Sequence, residues 1–574
     1  MAKKKKFSLA SAILMVICVV FVAEAAPIVA SMGNSQYVWW LILIVLFLVP
    51  YGLISSELST AFPDEGGLYD WVKTAFGKKW GTRVSWYYWV NFPIWMGSLA
   101  VLFPLVINFL IDPSGADSLG MAPSIAIALA FVWMVVGISL FKVSDSAWVM
   151  NAGAAIKVGL ALLLLVLGLV TFVNNGFVGA TDFTWESFAP FSELTLPGIV
   201  LGLGALTIIL FNFMGFEVMS SVSSEMEDPQ KQLPIAIVAG GIAIAAVYII
   251  SSFGIGVAIP ADEVAADLGI VDAVNYMAGA DVFWLVVVAG VLFLITLFGN
   301  MVSWSYGVNY VAAYGAKNGD MPRPFAKMRK GNEDMPLGAP VINGIVASVI
   351  VVIGVALPYI SAEADAMFWA FFSLSIITLL MSYVPMFPAW LKLRRSHPEV
   401  ARPYKVPGGK VLNRLFAFVP VVILVVTIVL SLFPAPVNAL TDEDVQAYAQ
   451  AAVEEGVTED EAYVLAALKE VPAEGQDAFV EAIVANGMGE ADALLLASEL
   501  APANGELYWA STSFGETAPT LIGVILAVVG GEAMVALLAR RQKGDPQAKA
   551  GQGISADTQQ PEGAVAAQEG EQGL

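Results

Sequence analysis

Phe211-Asn212-Phe213-Met214-Gly215-Phe216-Glu217 lies in the middle of an apolar segment running from about 197 to 226. An ionisable group at that depth in hydrocarbon costs several kcal/mol unless it has a partner or a task. Glycine weakens a helix, and an amide competes for its backbone hydrogen bonds. Together these residues predict a helix that breaks at mid-membrane. Ala23-Glu24-Ala25-Ala26-Pro27 repeats the pattern inside the first apolar segment, 8–33. Glu24 lies about 24 Å along a helix rising 1.5 Å per residue, and Pro27 cannot continue the backbone ladder.

Ten further apolar segments surround these two, at roughly 37–60, 82–111, 121–141, 147–173, 233–260, 281–315, 339–358, 365–393, 412–434 and 516–540. Crossing a hydrocarbon core of about 30 Å takes about 20 helical residues, and each segment suffices. Only 13% of the chain is charged. The class is an all-α integral membrane protein with about twelve spans, not a large soluble enzyme.

Nearly all Lys and Arg fall in loops that an even number of crossings returns to the starting side. Lys3 to Lys6 open the chain, and Lys73, Lys78, Lys79 and Arg83 follow the second span. Arg323, Lys327, Arg329 and Lys330 form a third cluster, and Lys392 to Arg414 a fourth; Arg540 and Arg541 close the last span. The alternate loops hold Lys469 alone. The positive-inside rule therefore predicts both termini in the cytoplasm of a cell, or inner, membrane. The basic start and Ala23-Glu24-Ala25 resemble a signal peptide, but the apolar stretch runs on to about Met32, which favours a retained first helix.

The lone Cys18 excludes an intramolecular disulfide and a cysteine metal cluster, and the lone His397 reads as a solvated loop residue. With no Walker motif and no nucleotide fingerprint, transport driven by ATP hydrolysis in this chain is not expected. No cofactor, metal or nucleic acid is expected, nor an enzyme.

The organisation reads as a transporter core over 1–434, an extracytoplasmic insert over 435–515, a final span over 516–541 and a disordered cytoplasmic tail over 542–574. The insert is rich in Asp and Glu, which supply most of the net charge of −21. Thr441 and Thr458, each followed three residues later by an acid, start short amphipathic helices within it. The acids lack the ligand register of a calcium loop. Either a partner-binding surface, its partner unknown, or a passive charge-repelling cap fits this composition.

Lys157 lies about ten residues into the fifth span, too deep to snorkel. Interrupted helices expose backbone dipoles that can hold the carboxylate or amine of a substrate. If two five-helix units repeat with inverted topology, the first and sixth spans are equivalent positions. The alternative is that Glu24 and Glu217 pair with Lys157 and only staple helices together, just as Phe211 and Trp304 can be ordinary packing residues.

At this point the chain resembles the amino acid–polyamine–organocation superfamily, and is most similar to its glutamate/GABA antiporter branch. The resemblance rests on Pro50-Tyr51-Gly52-Leu53 leading to Glu57-Leu58-Ser59-Thr60, then Asp64-Glu65-Gly66-Gly67-Leu68-Tyr69 and Trp71. It continues through Gly215-Phe216-Glu217, Ser224-Glu225-Met226-Glu227-Asp228-Pro229, and Trp304 with Gly307. It ends with Pro324-Phe325-Ala326-Lys327-Met328 and Val406-Pro407-Gly408-Gly409-Lys410.

The resemblance implies a LeuT-like fold of two inverted five-helix repeats plus two helices, working by alternating access. It implies a substrate site at Ala23, Glu24, Pro27, Phe211, Asn212, Gly215 and Trp304, with Phe211 as an aromatic lid. It gives gating or coupling to Lys157, Glu217 and Glu225, with Lys157 in place of a sodium ion. The first break departs from the family's glycine-rich loop. The expectation is a secondary transporter exchanging an amino acid for an amine, protons being possible co-substrates. A proton-coupled amino acid or polyamine importer and a transporter-like receptor are the alternatives.

Overall fold

The computed structural model describes residues 8–22, 25–63, 66–113, 119–181, 183–191, 199, 202–203, 206–221, 226–264, 269–279, 282–330, 332–356, 366–432 and 514–544. Among them, ten helices are long and apolar enough to cross a membrane. These are Ser35–Ala61, Lys78–Ile111, Met121–Ser139, Asp145–Asn174, Gln230–Gly256, Phe283–Lys317, Gly338–Ala356, Ala370–Ser396, Lys410–Leu432 and Thr520–Arg540. Each coincides with a predicted span.

The other two predicted spans are the ones in pieces. Leu9–Val20, capped by the Ser8 hydroxyl, stops in mid-segment, and a short helix, Ala25–Ala30, resumes the path. In the sixth span, Leu206–Phe211 and Val218–Ser221 flank a non-helical stretch centred on Gly215. Of the acidic insert over 435–515 and the tail over 542–574, residues 435–513 and 545–574 lie outside the described residues, while 514–515 and 542–544 belong to the helix Phe514–Gly544. Between the spans the sequence reading missed the short helices Leu68–Phe76 and Ile270–Ala278 and a short antiparallel pairing of Met328–Arg329 with Asn332–Pro336. These strands are too short to show an alternating pattern.

The third span is central, packing against the fourth, eighth, ninth and tenth, while the first packs against the fifth, seventh and eighth. Small residues let backbones approach, since lipid supplies no hydrophobic drive between helices. A Cβ on Gly168 of the fifth span would lie 2.0 Å from the Gly254 carbonyl oxygen of the seventh. A Cβ on Gly299 of the eighth span would lie 3.4 Å from the Gly153 Cα of the fifth, in ordinary contact.

Ion pairs gather the basic clusters at one end of the bundle, as the alternation of charged loops requires. Buried Asp320, after the eighth span, takes Lys73 at 2.7 Å and Lys78 at 3.0 Å from beyond the second. Tyr69 donates to it at 2.5 Å. Burial and then Asp320 itself push that phenol far above its ordinary range, so it remains a donor. Glu57 is clasped by Arg394, by Arg402 at 3.3 Å and by the Val406 amide at 2.7 Å. Arg83 reaches Glu532 of the last span.

Both arginines on Glu57 are largely buried, so losing the carboxylate leaves two cations in low dielectric. Glu57→Gln is expected to lower stability by about 3–5 kcal/mol, measured as a drop in thermal or denaturant midpoint in detergent.

Candidate substrate site

Where Leu9–Val20 ends, its last carbonyls lose their helical partners. In lipid these must be satisfied from elsewhere. Lys157 of the fifth span donates its ammonium to the Cys18 oxygen at 2.7 Å and also to the Phe21 oxygen. The Trp304 indole of the eighth span donates to the Val19 oxygen at 2.7 Å. The Tyr248 hydroxyl of the seventh span donates to the Val20 oxygen at 3.1 Å and accepts from the Val22 amide at 2.6 Å. A cation at a helix C-terminus also meets the negative end of its dipole. Lys157 is thus buried at the first break, and Trp304 lies beside it.

The sixth-span break rests directly on this arrangement. Gly215 has φ +117°, and a Cβ there would fall 2.8 Å from Val19 and 2.9 Å from Trp304. Only glycine permits both the left-handed backbone and that approach. Two residues on, the buried Glu217 carboxylate accepts from the Tyr51 hydroxyl at 2.5 Å and from the Tyr88 hydroxyl at 2.8 Å. Tyr51 in turn accepts from the Gly215 amide at 3.3 Å. The Tyr383 ring closes over both tyrosines at 5.6 and 6.5 Å.

On the N-terminal side of Gly215, the Phe211 ring meets Trp95 edge-on at 5.2 Å and Phe372 at 5.5 Å. Trp95 meets Trp304 at 5.5 Å, and Tyr88 meets Trp304 at 6.5 Å. The negative faces of such rings attract an organic cation. Asn212 is fully buried, and Pro27 is buried in the half-helix beyond the first break.

Of the residues singled out from sequence, the structure brings together Lys157, Gly215, Phe211, Asn212, Trp304 and Glu217 around the two breaks. Ala23, Glu24 and Glu225 lie outside the described residues. The sequence reading missed Tyr88, Trp95 and Tyr248 as members of the site, and quoted Tyr51 only as part of a motif. A signal existed for the third span: Tyr88 and Trp95 are seven residues apart, on one helix face.

A sequence model of the family described as amino acid permease matches residues 7–451, more than half of the chain. The chain belongs to the amino acid permease family. Its fold is accordingly that of the superfamily, two inverted five-helix repeats followed by two further spans, with the interrupted first and sixth spans as equivalent elements. It is 48% identical over 431 residues to a probable agmatine/putrescine antiporter, AguD, of Lactococcus lactis. That match covers 75% of this permease and 89% of the relative. A probable polyamine transporter of Arabidopsis thaliana is 26% identical, covering 71% and 74% of the two chains. A glutamate/gamma-aminobutyrate antiporter of Lactococcus lactis is 20% identical, covering 68% and 76%.

Gly215→Ala forces a side chain into the left-handed region and against Val19. A backbone cost of about 1–3 kcal/mol is expected, read as a lower melting midpoint, together with loss of solute exchange in vesicles that still contain inserted protein.

Proposed function

We propose that this permease exchanges an amine bearing an ammonium or guanidinium head for a related amine or amino acid, by alternating access at the two abutting breaks. The observation that carries this reading is Lys157 donating its ammonium into the carbonyls that end Leu9–Val20. A tethered cation there occupies the place a mobile ion would need, which favours exchange over sodium coupling. The similarity to AguD supports an amine on at least one side of the exchange.

In this reading Phe211, Trp95 and Trp304 enclose the alkyl part and the cation, and Glu24 supplies negative charge at the first break. Glu217, held by two phenols, couples opening of the inner half to the state of the site. The termini and the ion-paired end of the bundle face the cytoplasm of a plasma or inner membrane, by the excess of Lys and Arg in those loops. Differential binding to outward-open and inward-open states then makes an obligatory exchanger without a cofactor.

The test is uptake of labelled putrescine, agmatine and glutamate into proteoliposomes, loaded or empty, with and without sodium and at two pH values. Uptake only into vesicles loaded with a matching amine or amino acid, indifferent to sodium, is expected. Uptake into empty vesicles driven by a pH gradient alone would establish proton-coupled import instead. Lys157→Met is expected to abolish exchange or make it sodium-dependent. Sodium-independent exchange at the wild-type rate in that variant would contradict the role given to Lys157.

A further inference from the structure

Most polar groups lining the two breaks are paired, but several buried side chains near them are not, and three of these belong together. Asn212 and Asn300 are each fully buried, and neither amide oxygen nor nitrogen of either has a hydrogen-bond partner. The Trp95 indole N–H is buried and unpartnered as well. Leaving such a group unpaired in low dielectric is costly, and native structures rarely tolerate it without a reason.

The three come from the third, sixth and eighth spans, whose neighbouring residues meet at the breaks. Trp95 packs its ring between Phe211 and Trp304. Asn212 follows Phe211 and lies three residues before Gly215, which touches Val19 and Trp304. Asn300 is one helical turn before Trp304. Successive residues turn by about 100° on a helix of 3.6 residues per turn, so Asn300 falls on the face between Ser303 and Trp304. Ser303 donates to the Cys18 sulfur at 3.3 Å and Trp304 to the Val19 oxygen at 2.7 Å. Asn300 therefore faces the first span one turn further outward, at its break.

We propose that Asn300 and Asn212, with the Trp95 indole beside them, form a subsite that reads the nitrogen head group of the substrate. The inference rests on the amine-exchange reading above and names residues within it. The two amide oxygens accept N–H bonds from a cationic head already drawn in by the aromatic rings. Being neutral, they select by geometry more than by charge. A planar guanidinium presents parallel N–H donors, whereas an ammonium presents them tetrahedrally.

The experiment uses the purified full-length protein with agmatine and putrescine as probes. Binding is read as ligand-induced thermal stabilisation, and KM comes from exchange in proteoliposomes. Asn300→Leu is expected to weaken both amines by about tenfold, the worth of one hydrogen bond to a charged group, and to change their ratio; Asn212→Leu should act in the same direction. Asn300→Asp should tighten amine binding. Unchanged affinities and ratio in Asn300→Leu, or weaker amine binding in Asn300→Asp, would overturn the subsite. Asn300-dependent binding without any wild-type exchange would sink the transport reading and leave the subsite standing. Exchange with affinities indifferent to Asn300 would do the reverse, and a wild-type protein that neither binds nor exchanges amines would overturn both.

Discussion

A helix that ends inside a bilayer leaves carbonyl groups that neither water nor lipid can satisfy. The end of Leu9–Val20 is such a place, and the molecule meets the demand with donors from three other spans: Lys157, Trp304 and Tyr248. Because those donors sit on the fifth, eighth and seventh spans, the relative placement of four helices is tied to a few backbone oxygens. Moving the first span relative to the fifth and eighth must break or exchange these bonds.

The second break uses a different solution. Gly215 lets the sixth span press its backbone against Val19 and Trp304, and the chain turns so that Glu217 meets Tyr51 and Tyr88. Tyr51 also takes the Gly215 amide, so one phenol reports on both the turn and the carboxylate. A change at the acid is thereby felt at the turn, within two residues of the contact between breaks. At the far end, Glu57 and Asp320 tie the second and eighth spans to the basic loops. The two breaks and the basic loops at the far end are thus held by separate polar clusters.

Much of this was legible in the sequence because membranes punish the relevant features so heavily. An acid and a glycine within an apolar segment announced the break at Gly215, and Pro27 announced the other. Lys157 stood out because an ammonium ten residues into a span has no route to water. The partners were not legible. Tyr51 and Tyr88 lie 166 and 129 residues from Glu217, and an aromatic residue at helical spacing reads as packing. Asn300 was passed over because a single amide in a span carries no charge to mark it, and only its buried, unpartnered state distinguishes it. Glu57 reads as part of a motif and Arg394, 337 residues away, as part of a basic cluster, with nothing in the sequence to join them.

Cys18, the one cysteine in the chain, sits on this seam. Its carbonyl accepts from Lys157 and its sulfur lies against Ser303, Gly153 and Gly299. It is a built-in reporter of whether the first span parts from the fifth and eighth during turnover. The direct measurement is the rate at which a small thiol reagent modifies Cys18 in reconstituted protein, at rest and during exchange. Breaks that open in the transport cycle predict slow modification at rest and a rate that changes when amine is supplied on both sides. A thiol that stays equally protected while labelled amine is exchanging would contradict the account, because transport would then proceed with this seam closed.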